Sequence, residues 1–169
     1  MLLSGKSRNI ASGGILTALV LVFMLLSSAV PAGRLIFVFL ASAMIGIGVN
    51  MSGIGFGSAV YGASAFLVGF IVPDKLFALL YILVVGNYPL LKPFIERLKV
   101  IALRLIVKLI VFNLYMVVCY YIATSLLGLP MDIAYPIKLL WFMMVACFYV
   151  YDYAYSIFMQ KIYYVIKLK

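Results

Sequence analysis

The chain has 169 residues, 68% of them hydrophobic and 10% charged, with a formal net charge of +9. A soluble domain is nearer half apolar and a quarter charged, so the solvent for this chain is lipid. Six membrane helices of about 20 residues would take about 120 of the 169 and leave about 49 for every connection and both tails, which excludes an ATPase, kinase or nucleic-acid-binding module.

Six apolar segments follow one another. The first spans about 9–30 and stops at Pro31-Ala-Gly33-Arg34. Lys6 and Arg8 before it and Ser27-Ser-Ala29 near its end imitate a secretory signal. The length of the run and the five segments after it point instead to an uncleaved first helix. The second spans about 35–49 and the third about 53–72, ended by Pro73-Asp-Lys75. Asn50-Met-Ser-Gly53 between them carries no charge, so one broken helix, and five spans in all, is the alternative there. The fourth spans about 76–91 and bends near Gly86-Asn-Tyr-Pro89. The fifth spans about 103–127, ended by Gly128-Leu-Pro130, and the sixth about 137–159. Pro and Gly punctuate the ends, as helix-stop rules expect. Between the fourth and fifth spans, residues 90–102 read as an amphipathic cytoplasmic connector. Lys92, Glu96 and Lys99 share one stripe opposite Leu91, Phe94, Ile95 and Leu98, and Pro93 fits the first turn of a new helix. The expected fold is an all-α polytopic bundle of six transmembrane helices in a single membrane domain.

The charge sets an orientation. With the N-terminus cytoplasmic, Lys6, Arg8, Lys92, Arg97, Lys99, Arg104, Lys108, Lys161, Lys167 and Lys169 fall on one side, and Arg34, Lys75 and Lys138 on the other. Ten basic residues against three, in short loops, puts both termini in the cytoplasm of a cell whose inner or plasma membrane the chain crosses. The basic side would rest on the anionic inner leaflet. The +9 therefore reads as topology and lipid, and no nucleic-acid partner is expected.

The inventory limits the chemistry. There is no His, and the acids number four: Asp74, Glu96, Asp132 and Asp152. No metal site, cofactor or enzymatic activity is expected. Cys119 and Cys147 fall in different apolar runs at different depths, so no disulfide is expected. Ser4-Gly5-Lys6-Ser7 imitates the end of a phosphate loop but lacks the first glycine and the preceding strand.

Three groups of residues stand out. From Ala41 to Gly69 small residues recur four apart, as in Gly53/Gly57, Ser58/Gly62, Ala59/Ala63 and Ala65/Gly69. This spacing lets helix backbones approach closely in lipid. Asp152 lies inside the sixth span one to two turns from its inner end, and Lys108 one turn into the fifth from the same side. In antiparallel helices the two reach similar depth, so an intramembrane Asp152–Lys108 pair is expected, with Tyr149, Tyr155 and Ser156 on the same face as Asp152. Its reading is a structural lock, since one acid near one edge makes no proton pathway. On the outer side Arg34 and Lys75 are candidates to bind an anionic solute, with Tyr81 or Trp141 stacking on it; Asp74, Asp132, Tyr135 and Lys138 are the other polar groups there.

The pattern resembles the S components, the substrate-binding membrane subunits, of energy-coupling-factor (ECF) vitamin transporters. These are small, basic, bacterial six-helix proteins with both termini inside. Two stretches carry the resemblance: Ala11-Ser-Gly-Gly-Ile-Leu-Thr-Ala18 in the first span and the Gly-rich Gly53-Ile-Gly-Phe-Gly-Ser-Ala-Val-Tyr-Gly62 in the third. The resemblance implies that Gly14 and Ala18 meet a transmembrane coupling subunit, that separate ATPases supply energy, and that the chain binds a vitamin-like solute. The outer loops are short and poor in ligand-type side chains. The rod-shape-determining membrane protein D family, which is similar in size and helix count, implies the alternative: a non-transporting scaffold or accessory subunit of a membrane complex.

Overall fold

A computed structural model describes residues 5–126, 128 and 137–167. Asp132, Tyr135 and Lys169, and the side chains of Lys6, Arg8, Lys138 and Lys167, lie outside the described residues. The described chain is helical: α1 (Gly5–Ala29), a 3-10 turn (Pro31–Gly33), α2 (Arg34–Ser52), α3 (Ile54–Ile71), α4 (Lys75–Leu80), a π turn (Tyr81–Val85), α5 (Tyr88–Glu96), α6 (Ile101–Tyr121), a second π turn (Ile122–Leu126) and α7 (Ile137–Lys167). Among them are six helical stretches long and apolar enough to cross a membrane, with α4, the π turn and α5 together forming the fourth, Lys75–Glu96. A chain whose helices all carry apolar side chains outward, such as Ile15, Phe66, Phe70, Ile110 and Val117, is built for lipid. It is a multi-pass membrane protein.

Packing divides the chain into two compact units, Met1–Pro93 and Phe94–Lys169. The core of the first is Val20 and Met24 of α1, Val38, Ala41 and Ile45 of α2, Val68 of α3 with Val72 just beyond it, Ala78 of α4, and Tyr81. The second holds α6 and α7.

The second and third spans are separate helices. Gly53 alone joins them, with φ +86° and ψ 178°, a conformation essentially reserved for glycine. Its N–H bonds Val49 O at 2.8 Å and its carbonyl accepts from Gly57 N–H at 3.1 Å, so both helices keep their terminal hydrogen bonds through the corner.

The fourth span differs from the sequence reading. The helix of this region begins earlier than the spacing gave: α5 runs from Tyr88 to Glu96, and Pro93 lies inside it. Pro89, the second residue of α5, takes the first-turn place that the spacing gave to Pro93. Only Arg97 to Val100 remain as a link to α6. The expected bend is a π turn followed by Gly86 and Asn87, and it is stapled from outside (see below).

Candidate functional site

Each predicted solute ligand is engaged within the protein. Arg34, the first residue of α2, donates from Nη1 to Asp74 Oδ2 at 3.1 Å, and its guanidinium lies 5.1 Å from the centre of the Phe77 ring. Its Nε is buried without a hydrogen-bond partner. Asp74 also caps α4, its Oδ1 accepting from Phe77 N–H at 3.3 Å. Lys75 Nζ donates to Gly69 O and Val72 O, each at 3.0 Å, so it closes the C-terminal end of α3. These polar groups tie helix ends together at one end of the first unit. Tyr81 points elsewhere: it is fully buried in the core, with its hydroxyl 2.8 Å from Ser64 Oγ. Ser64 Oγ donates its one hydrogen to Tyr61 O at 2.9 Å, so Tyr81 is the donor to Ser64. Trp141 belongs to the second unit, where its Nε1 donates to Asn113 Oδ1 at 2.7 Å. Arg34, Lys75 and Tyr81 therefore do not converge on one point.

Gly14 and Ala18 are brought together with α3. They line an open groove of about 690 Å³ between α1 and α3, with Gly13 and Thr17 beside them and Ala59 and Ala63 opposite. The wall is almost wholly apolar. Small residues four apart on both helices make the groove: Gly14 and Ala18 on one, Ala59 and Ala63 on the other. A Cβ on Gly14 would meet nothing within 4 Å, so this part of the groove has room for a side chain from outside.

Lys108 and Asp152 are brought together in the second unit. Lys108 Nζ donates to Asp152 Oδ2 at 2.5 Å, and the residues are 7% and 8% exposed. Lys108 is the eighth residue of α6, about 10 Å along its axis. One turn further on, Phe112 stacks on Phe148 at 4.5 Å, and beyond them stands the Asn113–Trp141 bond. Rising numbers on α6 thus meet falling numbers on α7, as an antiparallel pair requires. Tyr149 reaches back to donate to Leu105 O at 3.3 Å, and Ser156 Oγ donates to the main-chain oxygen of Asp152 at 2.8 Å. Cys119 and Cys147 are both free thiols.

Sequence reasoning missed the polar staples of the fourth span. In an α-helix Gly86 N–H would bond Ile82 O; here it bonds Tyr81 O at 2.7 Å. That frees Ile82 O, which accepts from the Tyr61 hydroxyl of α3 at 2.5 Å. Pro89 has no N–H to give Val85 O, and Ser42 of α2 donates to that carbonyl at 2.8 Å instead. In lipid an unpaired carbonyl has no water to turn to, so side chains from neighbouring helices fill the gap. The signal was present as hydroxyls inside apolar runs opposite a Gly-Asn-Tyr-Pro break. Replacing Ser42 with Ala leaves Val85 O without this donor and should cost about 1–3 kcal/mol. The check is the thermal midpoint in detergent, against Ser58→Ala. Ser58 is exposed and bonds only Gly55 O of its own helix, so that variant should melt like the parent.

Among the described residues no group of three or more His, Cys, Asp or Glu is placed to hold a metal ion. No protein-family model matches the chain, and comparisons with curated proteins and with solved structures return no match.

Proposed function

We propose that this chain is a non-catalytic membrane subunit that works by holding another membrane protein in the groove between α1 and α3. The observation that carries the reading is the groove itself, open and apolar, with Gly14 and Ala18 on one wall and Ala59 and Ala63 on the other. Without water, association in lipid is driven by close packing, and small residues on facing helices are the feature that permits it. The engaged state of Arg34, Lys75 and Tyr81 favours a scaffold or accessory role over solute capture. The importer form of the reading has one specific support: Gly14 and Ala18, which the resemblance to ECF S components assigns to contact with a coupling subunit, both line this groove. In that form ATPases elsewhere drive uptake of a vitamin-like solute. The ten-to-three division of basic residues supports cytoplasmic termini, a cell inner or plasma membrane, and an anionic leaflet on the basic side.

The test is native mass spectrometry of gently purified protein, wild type and a Gly14→Leu/Ala18→Leu double variant. The expected result is a second membrane chain bound to the wild type and reduced tenfold or more in a variant of unchanged helicity. A retained small molecule in place of a second chain would favour the importer form. A wild type that carries neither would end the docking reading.

A further inference from the structure

The short link from α5 to α6 gathers positive charge. From Glu96 to Arg104 the chain carries three cations, Arg97, Lys99 and Arg104, and one acid, Glu96. Arg104, in the first turn of α6, donates from Nε to Leu98 O at 2.5 Å, so its side chain folds back onto the link. Neighbouring Cα atoms are about 3.8 Å apart. A guanidinium held on the Leu98 carbonyl is therefore within side-chain reach of both flanking residues, Arg97 and Lys99. Those two are exposed, and the Arg97 guanidinium lies 5.6 Å from the centre of the Phe94 ring.

The protein leaves this cluster short of negative charge. Among the described residues none of the three cations is paired with a carboxylate; Asp74 and Asp152 are held by Arg34 and Lys108. With Nε on Leu98 O, both Nη groups of Arg104 are left for an acceptor from outside. Like charges this close repel, and an anion between them removes the repulsion. Guanidinium groups suit phosphate, which they bind through paired N–H donors.

The surroundings favour a lipid over a free ion. The fourth span ends at Glu96 and the fifth begins at Ile101, so the link lies where headgroups meet the hydrocarbon. Phe94, Val100 and Ile101 are exposed apolar side chains in the same stretch. A phosphate joined to acyl chains meets both features, whereas a free phosphate meets only the charge.

We propose that Arg97, Lys99 and Arg104 form a site for one acidic phospholipid. The two guanidiniums and the ammonium hold its phosphate, and its chains lie along Val100 and Ile101. Phosphatidylcholine is disfavoured, because its phosphate carries an ammonium group that three cations repel. The site rests on the anionic-leaflet reading and narrows it to named side chains; it does not depend on what occupies the groove.

The test is native mass spectrometry of the full chain released from nanodiscs of phosphatidylcholine containing phosphatidylglycerol. Physiological salt screens diffuse attraction beyond about 8 Å. The wild type should retain one phosphatidylglycerol in preference to phosphatidylcholine. Arg97→Gln/Arg104→Gln should reduce that retention about tenfold or more. Lys6→Gln/Arg8→Gln, which removes the same charge from another basic stretch, should reduce it less than about twofold. Equal losses in the two double variants would mean diffuse attraction and overturn the site, while the anionic-leaflet reading stands. A wild type with no preference overturns both. Displacement by excess inorganic phosphate would assign the link to the free ion and overturn the lipid site. If the Arg104 change prevents folding, Arg97→Gln decides alone, and full retention there ends the proposal.

Discussion

Asp152→Leu and Lys108→Met, each made alone, should lower stability by about 3–5 kcal/mol, whereas the double variant should recover most of the loss. Each single change leaves a charged group nine-tenths buried with its opposite removed. The double change removes both charges and leaves apolar side chains of similar length in lipid, where burial of charge is the main expense. The single Trp141, bonded to Asn113 on the same helix pair, offers a local reading of unfolding by fluorescence. If either single variant melts like the parent, the pair is not a lock. The Arg34–Asp74 bridge sets the scale from the other end. Its side chains are 33% and 26% exposed and its distance is 3.1 Å, so breaking that charge pair with Asp74→Asn should cost no more than about 1 kcal/mol.

Gly57→Ala should be the most damaging of the glycine replacements in α3. A Cβ there would overlap Val49 Cγ2 and lie 3.3 Å from Val49 Cα, so yielding requires α2 itself to move. Gly53 joins the two helices with no slack, which keeps α2 from backing away. Overpacking of this kind costs about 1–3 kcal/mol. Gly55→Ala and Gly62→Ala are the internal contrast. Nothing lies within 4 Å of either added methyl group, and each removes a flexible residue from a helix, a gain of up to about 1 kcal/mol. Thermal unfolding followed by circular dichroism should therefore show opposite signs within one helix. A destabilised Gly62→Ala with an unaffected Gly57→Ala would mean that α2 and α3 do not pack as described.

Position along the helix axes was legible in the sequence, because it follows from counting. Hydropathy marks six spans, and glycine and proline mark their ends. Counting helical rises from a shared boundary brings Lys108 and Asp152 to one depth. Rotation about each helix axis was not legible. Successive residues turn by about 100°, and a helix that is apolar all round has no polar face to show which side faces a neighbour. Tyr81 could be read as an outward ring because nothing in Leu76 to Val85 distinguishes its core side from its lipid side; the structure turns it to Ser64. Ser42 and Tyr61 stood out as hydroxyls in apolar runs, but their partners could not be named, since those partners are carbonyls, which every residue carries. Arg34 and Asp74 are forty residues apart, and their pairing depends on how the ends of α2 and α3 meet. The groove was half visible: four-residue spacing of small residues appears on α1 and on α3 separately, but their facing each other is a matter of packing.

The Gly53 corner has a further consequence for how the protein meets the water on that side of the membrane. A link of one residue, with its N–H and carbonyl already bonded to Val49 and Gly57, leaves no free chain for a protease to extend or an antibody to grip. A reporter sequence inserted there must first melt the ends of both helices. The corner therefore trades loop length for order: the exposed residues Asn50 to Gly53 stay within or between two helices that keep their own hydrogen bonds.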